Sequence, residues 1–354
     1  MQIDTPLSRG IHTLIAVITT VLVGVALYFG QSVFAPVVFA MFVIAIVWPV
    51  QKFLQRYIPA GLAMLITSVL TLCVIMLLSY MVIIGFTRAA HWLAGNTARF
   101  QEIYIEIMAF LEEQGIATSG LVTSQISAGS LIRLLQGVAS GVNALAGFTV
   151  VTLVYVILGL LEVGVSRAKL VSLSRNPAAA NFLAACEEIA KKLRRYMIVR
   201  TVISILTGVL VWLFGWAIGL DLAEEWGMIA FVLNYIPFIG PVIATVLPTI
   251  FALVQFEAWQ TAVLTLVGMN LIQFICGSYL EPRVTGTQLS MSPFMVLFAI
   301  FLWAFLWGIP GAFIGVPVMI AVLTICAQDP RSRWVAELLS SDVATPEKPD
   351  RPEA

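Results

Sequence analysis

Charge is scarce in this sequence, and the scarcity runs along its whole length. Only 11% of the 354 residues are Asp, Glu, Lys or Arg, while 60% are hydrophobic. A soluble domain carries about 25% charged residues, because water must wet its surface. This composition excludes an ordinary soluble domain and makes lipid the main solvent. The 19 basic and 19 acidic residues cancel, so there is no basic footprint for a nucleic-acid partner. Cysteine is rare as well. Cys73, Cys186, Cys276 and Cys326 show no redox or metal-binding spacing, and we expect neither a disulfide nor a metal site. The two histidines, His12 and His91, are isolated. The sequence holds no Walker loop, no zinc-binding HExxH and no Ser/His/Asp set. We therefore expect neither an enzyme nor a nucleotide-driven pump, and no cofactor.

What the sequence has instead is long apolar runs. No charge occurs between Arg9 and Lys52, which is long enough for two spans of about 20 residues each. Ile11–Phe29 and Val33–Val50 read as a hairpin turned at Gly30-Gln31-Ser32 and Pro36. The first run is too long for a signal-peptide core, and we expect it to be a retained span. A third span runs from Ala60 to Phe86. Residues 87–140 are the most polar stretch, with Arg88, Arg99 and Arg133 against Glu102, Glu106, Glu112 and Glu113. Phe100, Ile103, Ile107 and Phe110 recur at helical spacing, as do Leu131, Leu134, Leu135 and Val138. We expect an amphipathic helical insert lying against the membrane or a neighbouring subunit. A fourth span occupies 141–163.

Residues 164–196 carry Arg167, Lys169, Arg175, Lys191, Lys192, Arg194 and Arg195. Phe182, Cys186, Ile189, Leu193 and Met197 fall on one helical stripe, and Glu187–Lys191 and Glu188–Lys192 are favourable i,i+4 pairs. This predicts a basic amphipathic helix suited to an anionic leaflet. Positive residues concentrate in cytoplasmic loops. The basic loops therefore face the cytoplasm, the acidic 87–140 insert and the Asp221-Glu224-Glu225 loop face outward, and both termini lie inside. The fifth span is Met197–Leu220. The tail 326–354 is polar and proline-rich at its end, and we expect it to be disordered.

The last third of the chain is apolar but interrupted. Residues 226–256 contain Leu233-Asn234-Tyr235-Ile236-Pro237-Phe238-Ile239-Gly240-Pro241 and then Pro248. Residues 294–325 contain Trp307-Gly308-Ile309-Pro310-Gly311 and then Pro317. Proline inside a helix costs about 3 kcal/mol or more, and two full spans need about 40 residues. Half-helices joined at the Gly/Pro break fit each length, as re-entrant hairpins; kinked spans are the other form. Paired broken segments of this kind point to a transport site at an inverted repeat, and residues 197–325 are the expected transport core. Its polar candidates are Asn234 and Tyr235 at the first break, Asn270 and Gln273 one turn apart in Trp259–Tyr279, and Glu281 with Arg283 at the inner end. Amides within an apolar run also serve as interhelical hydrogen bonds. A carboxylate near the interface is either a gate or a boundary marker. Pro282 is expected to end the helix, because the residue before a proline is disfavoured in the α region.

Three motifs carry a family resemblance. They are Leu233–Pro241 followed by Leu247-Pro248, Tyr279–Gly286 followed by Leu289 and Pro293, and Trp303–Pro317. Together, in this order and spacing, they resemble the autoinducer-2 exporter family, the PerM-like permeases. The resemblance implies an all-α polytopic fold with about seven or eight transmembrane segments in a bacterial inner membrane. It implies homo-oligomers, pentamers among them. It also implies export of a small polar solute of the autoinducer-2 type, or exchange of a monovalent cation, sodium or lithium, for protons. In the first reading Asn234, Tyr235, Pro237, Gly240 and Pro241, with Gly308, Pro310 and Gly311, line or gate the path. Glu281 and Arg283 close its inner end. The antiporter reading is weakened by the scarcity of intramembrane carboxylates. A non-transporting ring scaffold is the third reading.

Overall fold

The computed structural model describes residues 6–114, 128–144, 146–173, 175–256, 258–285, 291–328 and 332–339. Among the described residues every extended element is helical. Six helices are long and apolar enough to cross a membrane. The chain is an all-α polytopic membrane protein.

The first two helices, α1 (Pro6–Phe29) and α2 (Gln31–Leu54), meet at Gly30. α2 carries Pro36 and Pro49 within its length, so the proline expected to mark the turn lies inside the helix. Helix α3 (Ala60–Gly95) runs on past the expected end at Phe86. It is followed by α4 (Thr97–Glu113) and α5 (Ala128–Ala144). The amphipathic pattern of the insert finds its partner in α3: Leu135 and Ala139 of α5 are buried in one core with Ala89, Ala90 and Leu93. Helix α6 (Ala146–Ser172) leads to α7 (Pro177–Ala217).

Here sequence and structure differ. The basic helix and the fifth span are one continuous helix, because no glycine or proline interrupts 178–207 and every apolar position after Leu193 extends the same rod. Glu187 pairs with Arg167 across the α6–α7 turn at 2.8 Å rather than with Lys191. The Lys192–Glu188 pair forms as expected, at 3.8 Å. Of the predicted apolar stripe, Leu193 is buried, whereas Phe182 and Cys186 are exposed.

Both interrupted segments fold as paired helices. The first gives α8 (Ala223–Leu233) and α9 (Ile239–Gln255). After α10 (Trp259–Gln273) comes a π-helical turn over Phe274–Leu280 and then α11 (Glu281–Thr285). The second broken segment, α12 (Pro293–Gln328), is helical on both sides of Gly308, whose φ of 65° and ψ of −141° are non-helical. A short α13 (Arg333–Leu339) ends the described chain. Glu257, Gly286, Leu289 and most of the polar tail lie outside the described residues.

The expected helix end at Pro282 does not occur. Glu281 is helical, with φ −56° and ψ −50°, and its N–H donates to the Cys276 carbonyl. That bond reaches five residues back. The wider π turn gives room to the carbonyl that a proline ring would strike in an α-helix.

Two cores result. One gathers α3, α5, α8, α9 and α10 around Trp226, Ile229, Phe251 and Met269. The other gathers α2, α6 and α12 around Phe42, Val156, Ile300 and Ile314. Helix α7 enters both, through Val211 in the first and Leu193 and Tyr196 in the second. It is the axle on which the two broken hairpins meet.

Candidate functional site

The first hairpin reverses within a few residues. Leu233 ends α8, Phe238 takes a left-handed φ of 63°, and α9 starts at Ile239. Gly240 is buried under the Leu233 carbonyl, and a Cβ there would overlap the carbonyl oxygen. Pro237 and Pro241 flank it half-buried, and the Pro237 carbonyl accepts the Ile239 N–H at 2.7 Å. Gly240, which lacks a Cβ, and the two prolines, which lack a donor, thus fit the tight reversal.

The second hairpin turns on Gly308. A Cβ on Gly311 would overlap the Trp303 carbonyl, and one on Gly315 would sit 2.9 Å from the Ala299 carbonyl. In one straight helix, residues 299 and 315 would stand about 24 Å apart. They touch, so the two halves run antiparallel. Pro310 and Gly311 are buried, whereas Gly308 is exposed with open space around it.

The two breaks converge. Tyr235, at the first break, stacks on Phe313 of the second hairpin with ring centroids 5.7 Å apart. Ile236 and Ile239 pack into the same core as Trp307. Against this junction α7 presents a polar stripe. Tyr196, Arg200, Ser204 and Thr207 follow one another at i, i+4, i+8 and i+11, which keeps them on one face. Tyr235 Oη donates to Thr201 Oγ1 at 3.0 Å, and Asn234 Nδ2 donates to Ser204 Oγ at 3.2 Å. Arg200 Nη1 reaches both oxygens of Glu281, at 2.5 and 2.6 Å. The arginine side chain is 4% exposed and the glutamate 27%.

This pairing corrects the expected one. Arg283 does not hold Glu281; its guanidinium stacks over the Tyr279 ring at 4.0 Å and is exposed. The helix continuing through Pro282 explains the change, because it turns positions 281 and 283 to different sides. Nor do Asn270 and Gln273 share a polar face. Asn270 is exposed and donates to the Leu266 carbonyl of its own helix at 2.8 Å. Gln273 is half-buried, and its Nε2 has no protein partner. The structure therefore brings Asn234, Tyr235 and Gly240 to the α12 hairpin, joins Glu281 to the same α7 stripe through Arg200, and leaves Asn270 and Arg283 outside.

Arg200, Tyr196, Thr201 and Ser204 escaped the sequence reading. Arg200 sits three residues inside the apolar span Met197–Leu220, next to the basic cluster that ends at Arg195. A charged residue within a span is a functional candidate by default, and the polar spacing at 196, 200, 204 and 207 was the available signal.

The opposite end of the core is closed differently. Arg88 of α3 pairs with Glu225, which is 5% exposed. Trp92 Nε1 donates to Asp221 Oδ2 at 2.8 Å. Gln255 ties the α7–α8 loop at two points, accepting from Asp221 N at 2.7 Å and donating to the Gly219 carbonyl at 2.8 Å. One ion pair thus stands at each end of the α7–α8 region, with the hairpin junction between them.

Spanning helices, two broken hairpins and a buried polar seam where they cross define the class, a polytopic membrane transport protein. The sequence model of AI-2E family transporters matches residues 17–329, and the chain belongs to this family. It is 27% identical over 339 residues to the AI-2 transport protein TqsA of Escherichia coli K12, covering 94% of this chain and 96% of that one. It is 34% identical over 189 residues to a provisionally named transport protein of Borreliella burgdorferi, covering 52% of each. YhhT of Escherichia coli K12, another provisionally named transport protein, is 23% identical over 320 residues, covering 90% of this chain and 91% of that one.

Proposed function

We propose that this protein is a secondary transporter that exports a small polar solute, of the autoinducer-2 type, across the bacterial inner membrane. The observation that carries this reading is the Tyr235–Phe313 stack, which joins the two breaks beside the polar stripe of α7. Non-helical backbone at membrane depth is tolerated only where protein or a water-filled cavity surrounds it. Two such breaks in contact, with an ion pair beside them, form a junction that a solute can open. The name of TqsA supports the solute class. Residues 197–325 are the moving core, the 164–196 region and the termini face the cytoplasm, and the 87–140 insert faces outward. Gly240, Gly308 and Gly311 permit the two turns, and Glu281 closes the inner end through Arg200.

A sodium/proton exchanger fits less well, because both oxygens of Glu281 are already bound to Arg200. A cation there must first break a buried ion pair. The test is flux in proteoliposomes, with labelled autoinducer-2 and sodium/proton exchange followed in parallel. Autoinducer-2 flux in the wild type that Gly240→Leu abolishes, with the protein still assembled, supports the proposal. Exchange of sodium for protons without autoinducer-2 flux replaces it with the antiporter. Absence of both in an intact oligomer leaves the scaffold reading.

A further inference from the structure

Six buried side-chain polar atoms have no partner among the described residues; three of them lie on α7 and α10, and two of those are neighbours. Tyr196 Oη and Arg200 Nε stand one turn apart on the inward face of α7. Tyr196 is 9% exposed and Arg200 3%. Both lie close to Glu281. The third atom, Gln273 Nε2, belongs to α10. Its neighbour along the helix, Cys276, lies by Thr207, about two turns further along the same α7 stripe.

Buried polar groups without partners are rare in folded proteins, and each calls for a cause. An unpartnered donor costs roughly the full desolvation of the group. The chemistry of the set is uniform. Arg Nε–H and the Gln Nε2 group are donors, and Tyr Oη–H has its proton free to give. What such a site recognises is an oxygen that accepts.

The charge of the ligand follows from Glu281. It neutralises Arg200 through Nη1 alone, which leaves the Nε–H edge of the guanidinium as a directional donor with no net charge to satisfy. A cation would face these donors, and the Glu281 oxygens it could turn to are already held by Arg200. A strong anion would compete with Glu281 and leave a carboxylate unpaired in a low dielectric. An uncharged molecule with carbonyl or hydroxyl oxygens breaks nothing. Ile300, Ile314 and Trp307 belong to the same apolar core as Tyr196, so the surroundings of the stripe are otherwise apolar.

We infer that Tyr196 and Arg200 form the solute-binding subsite, donating to an acceptor oxygen of an uncharged, oxygen-bearing solute while Glu281 holds the arginine in place. This rests on the transport reading above, and the two are separable by experiment.

The decisive variant is Tyr196→Phe, which removes one oxygen and nothing else. A hydroxyl with only a structural role would leave a less stable protein when removed. An unpartnered one leaves stability unchanged or raised. Equilibrium binding of labelled autoinducer-2 and of sodium-22 is measured on the purified full chain, alongside its thermal unfolding. The expected result is autoinducer-2 binding in the wild type that falls about tenfold in Tyr196→Phe, the usual size of one lost hydrogen bond. The melting temperature does not fall, and Arg200→Lys, which lacks Nε–H, loses binding at least as strongly. Unchanged binding in Tyr196→Phe overturns the inference, as does a wild type that binds sodium-22 but not autoinducer-2, or binds neither. Tyr196-dependent binding without any flux in proteoliposomes upholds the subsite and overturns the transport reading instead.

Discussion

Among single residues, the Arg200–Glu281 pair matters most. Burying two charges costs several kcal/mol per ion, and their attraction offsets this only with good geometry. Both carboxylate oxygens engage one nitrogen of a buried guanidinium, so the two charges are coupled. Replacing one partner leaves the other uncompensated. Arg200→Leu, with Glu281 intact, should lower stability by about 3–5 kcal/mol. The double change Arg200→Leu with Glu281→Leu should lower it less than the single change does. Thermal unfolding of the purified variants checks this; additive losses would show that the two side chains do not interact.

At the level of the element, three glycines look alike in the sequence and act by different physics. Gly240 and Gly311 are needed for space, since a Cβ on either would overlap a carbonyl across the hairpin. Gly308 has open space around it but a φ of +65° with ψ −141°. That region is open essentially to glycine alone and costs other residues about 1–3 kcal/mol. Gly308→Ala should therefore destabilise by about that amount, read by thermal unfolding, without any clash. Gly311→Ala should do worse, because the helices must also separate. If Gly308→Ala is the more damaging of the two, the assignment of causes is wrong. The π turn is the other element with a testable origin. Pro282→Ala restores a backbone N–H and removes the ring, so α10 and α11 should rewind as one α-helix. That would swing Glu281 away from Arg200. Loss of autoinducer-2 flux in this variant, with assembly retained, is the expected outcome; unaltered flux would show that the π turn does not place Glu281.

The molecule as a whole is organised by which faces lipid, water and protein cover. The orientation proposed from charge makes a prediction that the thiols can test. Cys186 is exposed on the basic part of α7, whereas Cys276 is buried against α7. A membrane-impermeant maleimide should label Cys186 only after the cells are opened, and should spare Cys276 throughout. Labelling of Cys186 in intact cells would reverse the topology. Cys73 is exposed on an apolar stretch of α3, where lipid rather than water surrounds it, so this reagent should spare it too.

The sequence by itself determined the class of the protein. Charge scarcity and apolar runs settle that lipid is the solvent, because each span must satisfy its backbone internally. The Gly/Pro interruptions at 234–241 and 308–311 were legible as breaks for the same local reason. Each residue raises the cost of a regular helix, and where several cluster, as here, the chain turns, whereas lone prolines such as Pro36 and Pro49 stay inside a helix. Most of the twelve candidate residues fall around those breaks. What only the tertiary structure decided is which polar groups meet. Asn270 and Gln273 are one turn apart in sequence but do not share an environment, whereas Tyr235 and Phe313 are distant in sequence and stack. Arg200 and Glu281 come from different helices, and their pairing depends on a π turn that no periodicity announces. Periodicity reports which face of a helix is polar. The neighbour that covers that face is set by packing between helices, which distant segments decide together.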